Sequence, residues 1–139
     1  MICPVCNSDM IVVEHNQIEL DYCTDCHGVW FDSEELELLL KSLGLESSEL
    51  LLHNLLKSPE ADSTEKKRNC PICRQKMKKT VIGEKQGILI DVCSFEDGLW
   101  FDGGEVAHLL KSLAGREVGE PGTQGKIIDF LGETFKVGD

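Results

Sequence analysis

Two stretches of the chain read with a period of two. Ile18, Leu20 and Tyr22 alternate with Glu19 and Asp21, and Ile88, Ile90 and Val92 share a face in the same way. Such alternation predicts strands with one buried side. Ile11-Val12-Val13 precedes the first stretch across Asn16-Gln17, so a hairpin is expected there, and Gly83 to Gly87 supplies a longer turn for the second. Helical spacing follows each hairpin. Leu36, Leu39, Leu40 and Leu43 form one apolar stripe, and Val106, Leu109, Leu110 and Leu113 form the other. Each helix is expected to start at an aspartate. Asp32-Ser33-Glu34-Glu35 and Asp102-Gly103-Gly104-Glu105 both fit an N-cap followed by a reciprocal glutamate.

These patterns are one unit written twice. Cys-Pro-x-Cys opens both copies, at Cys3 and at Cys70. Met10 then matches Met77, Asp21 matches Asp91, Gly28-Val29-Trp30-Phe31-Asp32 matches Gly98-Leu99-Trp100-Phe101-Asp102, and Lys41-Ser42-Leu43 matches Lys111-Ser112-Leu113. The expected organisation is a first unit over 1–44, a leucine-rich helix and flexible linker over 45–69, a second unit over 70–114, and a Gly-rich tail over 115–139. The tail reads mostly as loop with one apolar island, Ile127-Ile128-Asp129-Phe130-Leu131. Leu45, Leu50, Leu51, Leu52, Leu55 and Leu56 exceed what one small unit can absorb. They are expected to pack the units together or to meet a protein partner or second copy.

Composition narrows the chemistry. The formal net charge is −11, and ligation makes it more negative, since seven thiolates outweigh two divalent cations. Sequence-independent nucleic-acid binding relies on Lys and Arg neutralising phosphates, so it is disfavoured. The one basic cluster is Lys66-Lys67-Arg68 with Arg74, Lys76, Lys78 and Lys79. No apolar run is long enough to span a membrane. Seven cysteines in 139 residues, behind an opening without basic or apolar leader, point to metal or redox chemistry in the cytoplasm rather than to disulfides.

The cysteine spacing makes the choice. Cys3-x2-Cys6, 16 residues, then Cys23-x2-Cys26 is the spacing of a four-thiolate Zn²⁺ site. Two intervening residues form a knuckle that brings both sulfurs to about 2.3 Å of one ion, and the hairpin brings the knuckles face to face. A unit of about 45 residues rarely stabilises itself by its apolar core alone. Trp30-Phe31 and Trp100-Phe101 are expected as the aromatic core between metal and helix. The fold class is therefore a small metal-stabilised α+β protein of two tandem zinc ribbons, each a β-hairpin with two zinc knuckles followed by an α-helix.

The second site differs. Cys70, Cys73 and Cys93 keep their places, but Glu96 falls where Cys26 stands. Glu96 is the expected fourth ligand, with Asp97 one residue on as an alternative and His108 or water as further ones. Two Zn²⁺ per chain are expected. His27 follows a complete cysteine set and is left at most a supporting hydrogen bond, and His15 and His53 have no evident partner.

With the knuckles and the Gly-x-Trp-Phe-Asp segments in hand, the chain resembles the bacterial and archaeal transcription factor IIB-type zinc ribbons. Cys3-Pro4-Val5-Cys6, Asp21-Tyr22-Cys23, Cys26-His27-Gly28-Val29-Trp30-Phe31-Asp32 and Glu35-Leu36 carry the likeness. The resemblance implies zinc in a ribbon fold, and transcription only by analogy. The function expected is a non-enzymatic zinc-binding interaction or regulatory module, with a nucleic-acid-binding or transcription-associated factor as the alternative.

Overall fold

In the computed structural model, residues 1–45, 47–61, 67–82, 87–107 and 122–135 are described. The first unit runs β1 (Ile11–His15), β2 (Ile18–Tyr22), β3 (Val29–Asp32), α1 (Ser33–Ser42) and α2 (Ser48–Lys57). The second repeats the order with β4 (Lys78–Ile82), β5 (Ile88–Val92), β6 (Gly98–Phe101), a helix α3 described over 103–107, and α4 (Gly122–Thr134). The tail's apolar island thus lies on a helix and not in a loop. Its Ile127, Ile128, Phe130 and Leu131 are buried, which is the physical reason the segment coils. Leu109, Leu110, Leu113 and the Lys111-Ser112-Leu113 match fall outside the described residues, as does Lys66.

The two units join through equivalent strands. The described strands form one six-stranded antiparallel sheet in the order β1-β2-β3-β6-β5-β4. At its centre β3 pairs with β6, with Trp30 opposite Trp100, a residue opposite its own copy. A pseudo-two-fold axis passes there. Each central strand presents its tryptophan to one face of the sheet and its flanking residues to the other. Trp30 and Trp100 lie with Met10, Met77 and the cysteines. Val29, Phe31, Leu99 and Phe101 lie with the helices. The expected Trp-Phe layer is thereby divided between two cores, because successive residues of a strand point to opposite faces.

Helices and hairpins are exchanged across the axis. Helix α2, from the first unit, covers β4 and β5 of the second. Lys78 on β4 donates to the carbonyls of Leu56 (2.6 Å) and Ser58, a cation at the negative end of α2. Helix α4 covers the first unit instead. Phe130 meets His15 and Phe31, with ring centres 5.5 and 5.9 Å apart, and Phe135 meets Tyr22 at 5.3 Å. Leu51, Leu52 and Leu55 are buried in this shared core, and Leu50 stays exposed.

The caps differ from the expected boxes. Asp32 accepts the Glu35 N–H at 3.0 Å and caps α1. The reciprocal arm is absent in both units. Glu35 accepts instead from the Glu19 N–H on β2 (2.7 Å), and Glu105 from the Leu89 N–H on β5 (3.0 Å). Those inner-strand amides lie beyond the short β3 and β6, and an unpaired strand N–H is costly. Asp102 receives the Trp100 indole N–H at 2.7 Å, with Arg68 at 3.6 Å.

Candidate metal centres

Four knuckles project from the tryptophan face. Cys3, Cys6, Cys23 and Cys26 form one cluster and Cys70, Cys73, Cys93 and Asp97 the other, every ligand atom within 4.8 Å of the rest of its group. A tetrahedron with 2.3 Å Zn–S arms has edges of about 3.8 Å. The Cys3 and Cys26 sulfurs are 3.7 Å apart and those of Cys73 and Cys93 3.6 Å, so both clusters have the size of a zinc site. All seven cysteines are free of disulfides.

Backbone amides prepare the sulfurs for negative charge. The Val5 and Cys6 N–H groups point at the Cys3 sulfur, those of Ile72 and Cys73 at Cys70, that of Cys26 at Cys23 and that of Phe95 at Cys93, all between 3.3 and 3.5 Å. Without a cation the thiols compete. Burial alone would raise the Cys23 thiol, but the Cys26 and Asp25 amides and the adjoining thiols outweigh it and hold the group at about 7. Burial, with sulfurs on every side, pushes Cys26 well up. Cys93 is pushed up by burial in the same way. Four such ligands would ionise together only with a cation between them.

Seven of the eight expected ligands are brought together as expected. Glu96 is not among them, and Asp97 takes its place. The Asp97 Oδ2 lies 3.4 Å from the Cys93 sulfur and 3.7 Å from that of Cys70, near the edge of about 3.6 Å set by Zn–O arms of 2.0–2.2 Å and Zn–S arms of 2.3 Å. The reason is one residue of turn. In three knuckles the closing N–H comes from the fourth residue after the first cysteine: Asn7 to Cys3 O, His27 to Cys23 O, Arg74 to Cys70 O. That residue adopts left-handed φ, at 62°, 67° and 69°. In the fourth knuckle Glu96 closes onto Cys93 O, three residues on, and itself takes φ 63°. Glu96 therefore has the backbone place of His27, and the next residue swings its carboxylate toward the sulfurs of Cys70 and Cys93. Residue spacing carries no sign of this shortening.

Each site leans on the other unit. The Ser33 N–H at the start of α1 donates to the Asp97 carbonyl at 2.8 Å. At the start of α3, a Cβ on Gly103 would stand 1.8 Å from the Cys26 carbonyl oxygen, so only glycine fits. A recess of about 310 Å³ opens beside this contact, lined by Val5, Cys26, Arg68, Asp102, Gly103, Gly104 and Glu105. Its one thiol is a metal ligand. His27 bonds the Tyr22 hydroxyl through Nδ1 at 2.7 Å and ligates nothing. His108 lies outside the described residues.

A sheet that ends in four metal-gathering knuckles, repeated about an internal axis, defines a tandem zinc ribbon. The chain belongs to the transcription factor zinc-finger family of TFIIB-type zinc ribbons, which matches residues 2–42 and again 69–112. No curated protein and no solved structure is significantly similar to the chain. Two Zn²⁺ sites fit, one with four thiolates and one with three thiolates and Asp97. The family is typically non-catalytic. No helix among the described residues is long and apolar enough to cross a membrane.

Proposed function

We propose that this protein is a non-enzymatic interaction or regulatory module whose two zinc ions are structural. The observation that carries the reading is closure: each cluster has four protein ligands, and a closed zinc has no position for substrate or activated water. Seven cysteines without a disulfide accord with a reducing, cytoplasmic setting.

The nucleic-acid alternative draws on the family and on the basic cluster, but part of that cluster has duties inside the fold. Lys78 caps α2, Lys79 is buried against Asp91, Lys67 pairs with Glu60 at 2.7 Å, and Arg68 leans on Asp102. Arg74, Lys76 and, despite its pairing, Lys67 are exposed. The test is fluorescence anisotropy of labelled DNA and RNA, single- and double-stranded, with the zinc-loaded protein at low salt. No binding is expected. Salt-sensitive binding at micromolar protein would transfer the assignment to the alternative. Thiol titration adds a check on catalysis: the cysteines should react only after chelation, whereas one thiol reactive in the zinc-loaded protein would reopen a redox role.

A further inference from the structure

The two edges of the sheet are not alike. At the β4 edge, Lys79 meets Asp91 on β5 at 2.9 Å, with both side chains buried. The Lys79 carbonyl accepts the Ala61 N–H at 2.9 Å, so this edge is covered. At the β1 edge, Val12 stands in the place of Lys79, directly opposite Asp21 in the place of Asp91. Val12 is 60% exposed and Ile11 50%. Among the described residues Asp21 has no ion-pair partner. Glu14 lies directly opposite Glu19, whose backbone N–H is held by a third carboxylate, Glu35. Like charges facing each other across a ladder are unfavourable.

The backbone of β1 is also open. His15 and Ile18 flank the two-residue turn and exchange hydrogen bonds, so alternation turns the N–H and C=O groups of Val12 and Glu14 outward. No described residue bonds them. The strand has no Lys, Pro or bulge, and of the devices that blunt an exposed edge it carries only the charge of Glu14, which a basic segment would neutralise.

We propose that the β1 edge takes an extended segment of a partner protein as a seventh strand, and that this segment carries a Lys or Arg directed at Asp21 and Glu14. The inference rests on the interaction-module reading and names its surface. The cation fills the role that Lys79 fills in the other repeat. Main-chain hydrogen bonds to Val12 and Glu14 supply affinity, and the faces bearing Val12 and Ile11 select alternate side chains. A second copy of this chain would bring another Glu14 and a net charge of −11 to an edge already acidic, so charge complementarity favours a foreign basic strand.

The test is a ¹⁵N NMR titration of the zinc-loaded full chain with an end-blocked peptide, Thr-Val-Lys-Val-Thr-Lys-Thr, and its twin with glutamate for lysine. Shifts should centre on the Val12 and Glu14 amides, with the glutamate twin binding about tenfold more weakly or worse. Val12→Lys rebuilds the Lys79–Asp91 arrangement within the chain and should abolish binding. Val12→Pro deletes an outward N–H without touching the β1–β2 ladder and should do the same, with zinc content and spectral dispersion reporting that either variant folds. Absence of shifts at about 1 mM peptide, equal binding of both peptides, or indifference to Val12→Lys would overturn the proposal. So would a dimer in light scattering that Val12→Pro dissociates, since the edge would then belong to a second copy. Shifts centred on Ile72 and Phe95 would remove the edge assignment yet leave the interaction-module reading intact, whereas nucleic-acid binding in the anisotropy measurement would remove that reading.

Discussion

The first repeat builds its metal site from four thiolates and leaves its outer strand bare; the second gives up a thiolate and seals its edge. At the first site Ser8 donates to Asp25 at 2.8 Å, tying the two knuckle tips together. At the second, the counterpart of Asp25 is Phe95, 67% exposed, and Ile72 stands 48% exposed on the facing tip. The buried Lys79–Asp91 pair exists in the second repeat alone, where burial pushes the Asp91 carboxyl up to about 6 against the pull of Lys79. Duplication supplied two equal halves, and the differences lie at the sheet edges and the knuckle tips. The central strands, which cross where Trp30 meets its own copy Trp100, have kept their tryptophans.

The comparison can be broken most severely by removing the metal. Structural zinc contributes roughly 10–16 kcal/mol in small zinc units, so exhaustive chelation should abolish near-UV circular dichroism for both repeats together, because each site rests on the other unit's helix start. A spectrum lost in two separate steps would show the halves to be independent. Next in size is Lys79→Met, which strands a buried carboxylate. A cost of about 3–5 kcal/mol is expected in urea denaturation, while Val12→Lys in the other repeat should raise the midpoint. Asp97→Ala should weaken the second zinc on the order of 10–100-fold in competition with a chromogenic chelator, the range that even outer-shell groups command. Glu96→Ala should leave two zinc per chain by elemental analysis, and Asp97→Cys should bring zinc release from the second site toward that of the first. Gly103→Ala drives a Cβ into the Cys26 carbonyl and should cost about 1–3 kcal/mol, a strain that appears at the first metal site although the substitution is in the second repeat. The smallest loss is Asp32→Ala, about 1 kcal/mol for a lost cap; at Asp102, whose carboxylate holds the Trp100 N–H, the same change removes a hydrogen bond and no cap.

Local chemistry was legible wherever it depended on residues near one another in the chain. The hairpins, α1, α2 and seven ligands follow from alternation, stripe and spacing. Asp97 was visible as an alternative to Glu96, but the choice depends on a turn closing one residue early, and composition does not encode that. The single sheet was not legible, because nothing in Gly-x-Trp-Phe-Asp announces that β3 will pair with β6. The glutamates at the third helical position looked like reciprocal caps, yet each answers a strand amide more than a dozen residues away in the chain. The Gly-rich start of α4 hid its helix, which Ile127, Ile128, Phe130 and Leu131 secure by reaching a core that the first repeat provides.

That last contact sets a schedule for synthesis. Residues emerge from the ribosome in order, and the helix that shelters β1 and β2 is the last described element to appear, ending at Thr134. Helix α1 packs on β2 early, but His15 and Phe31 wait for Phe130, more than ninety residues downstream. A ribosome that stops early therefore releases a chain with its zinc knuckles complete and part of its apolar core uncovered, a form that quality control can recognise.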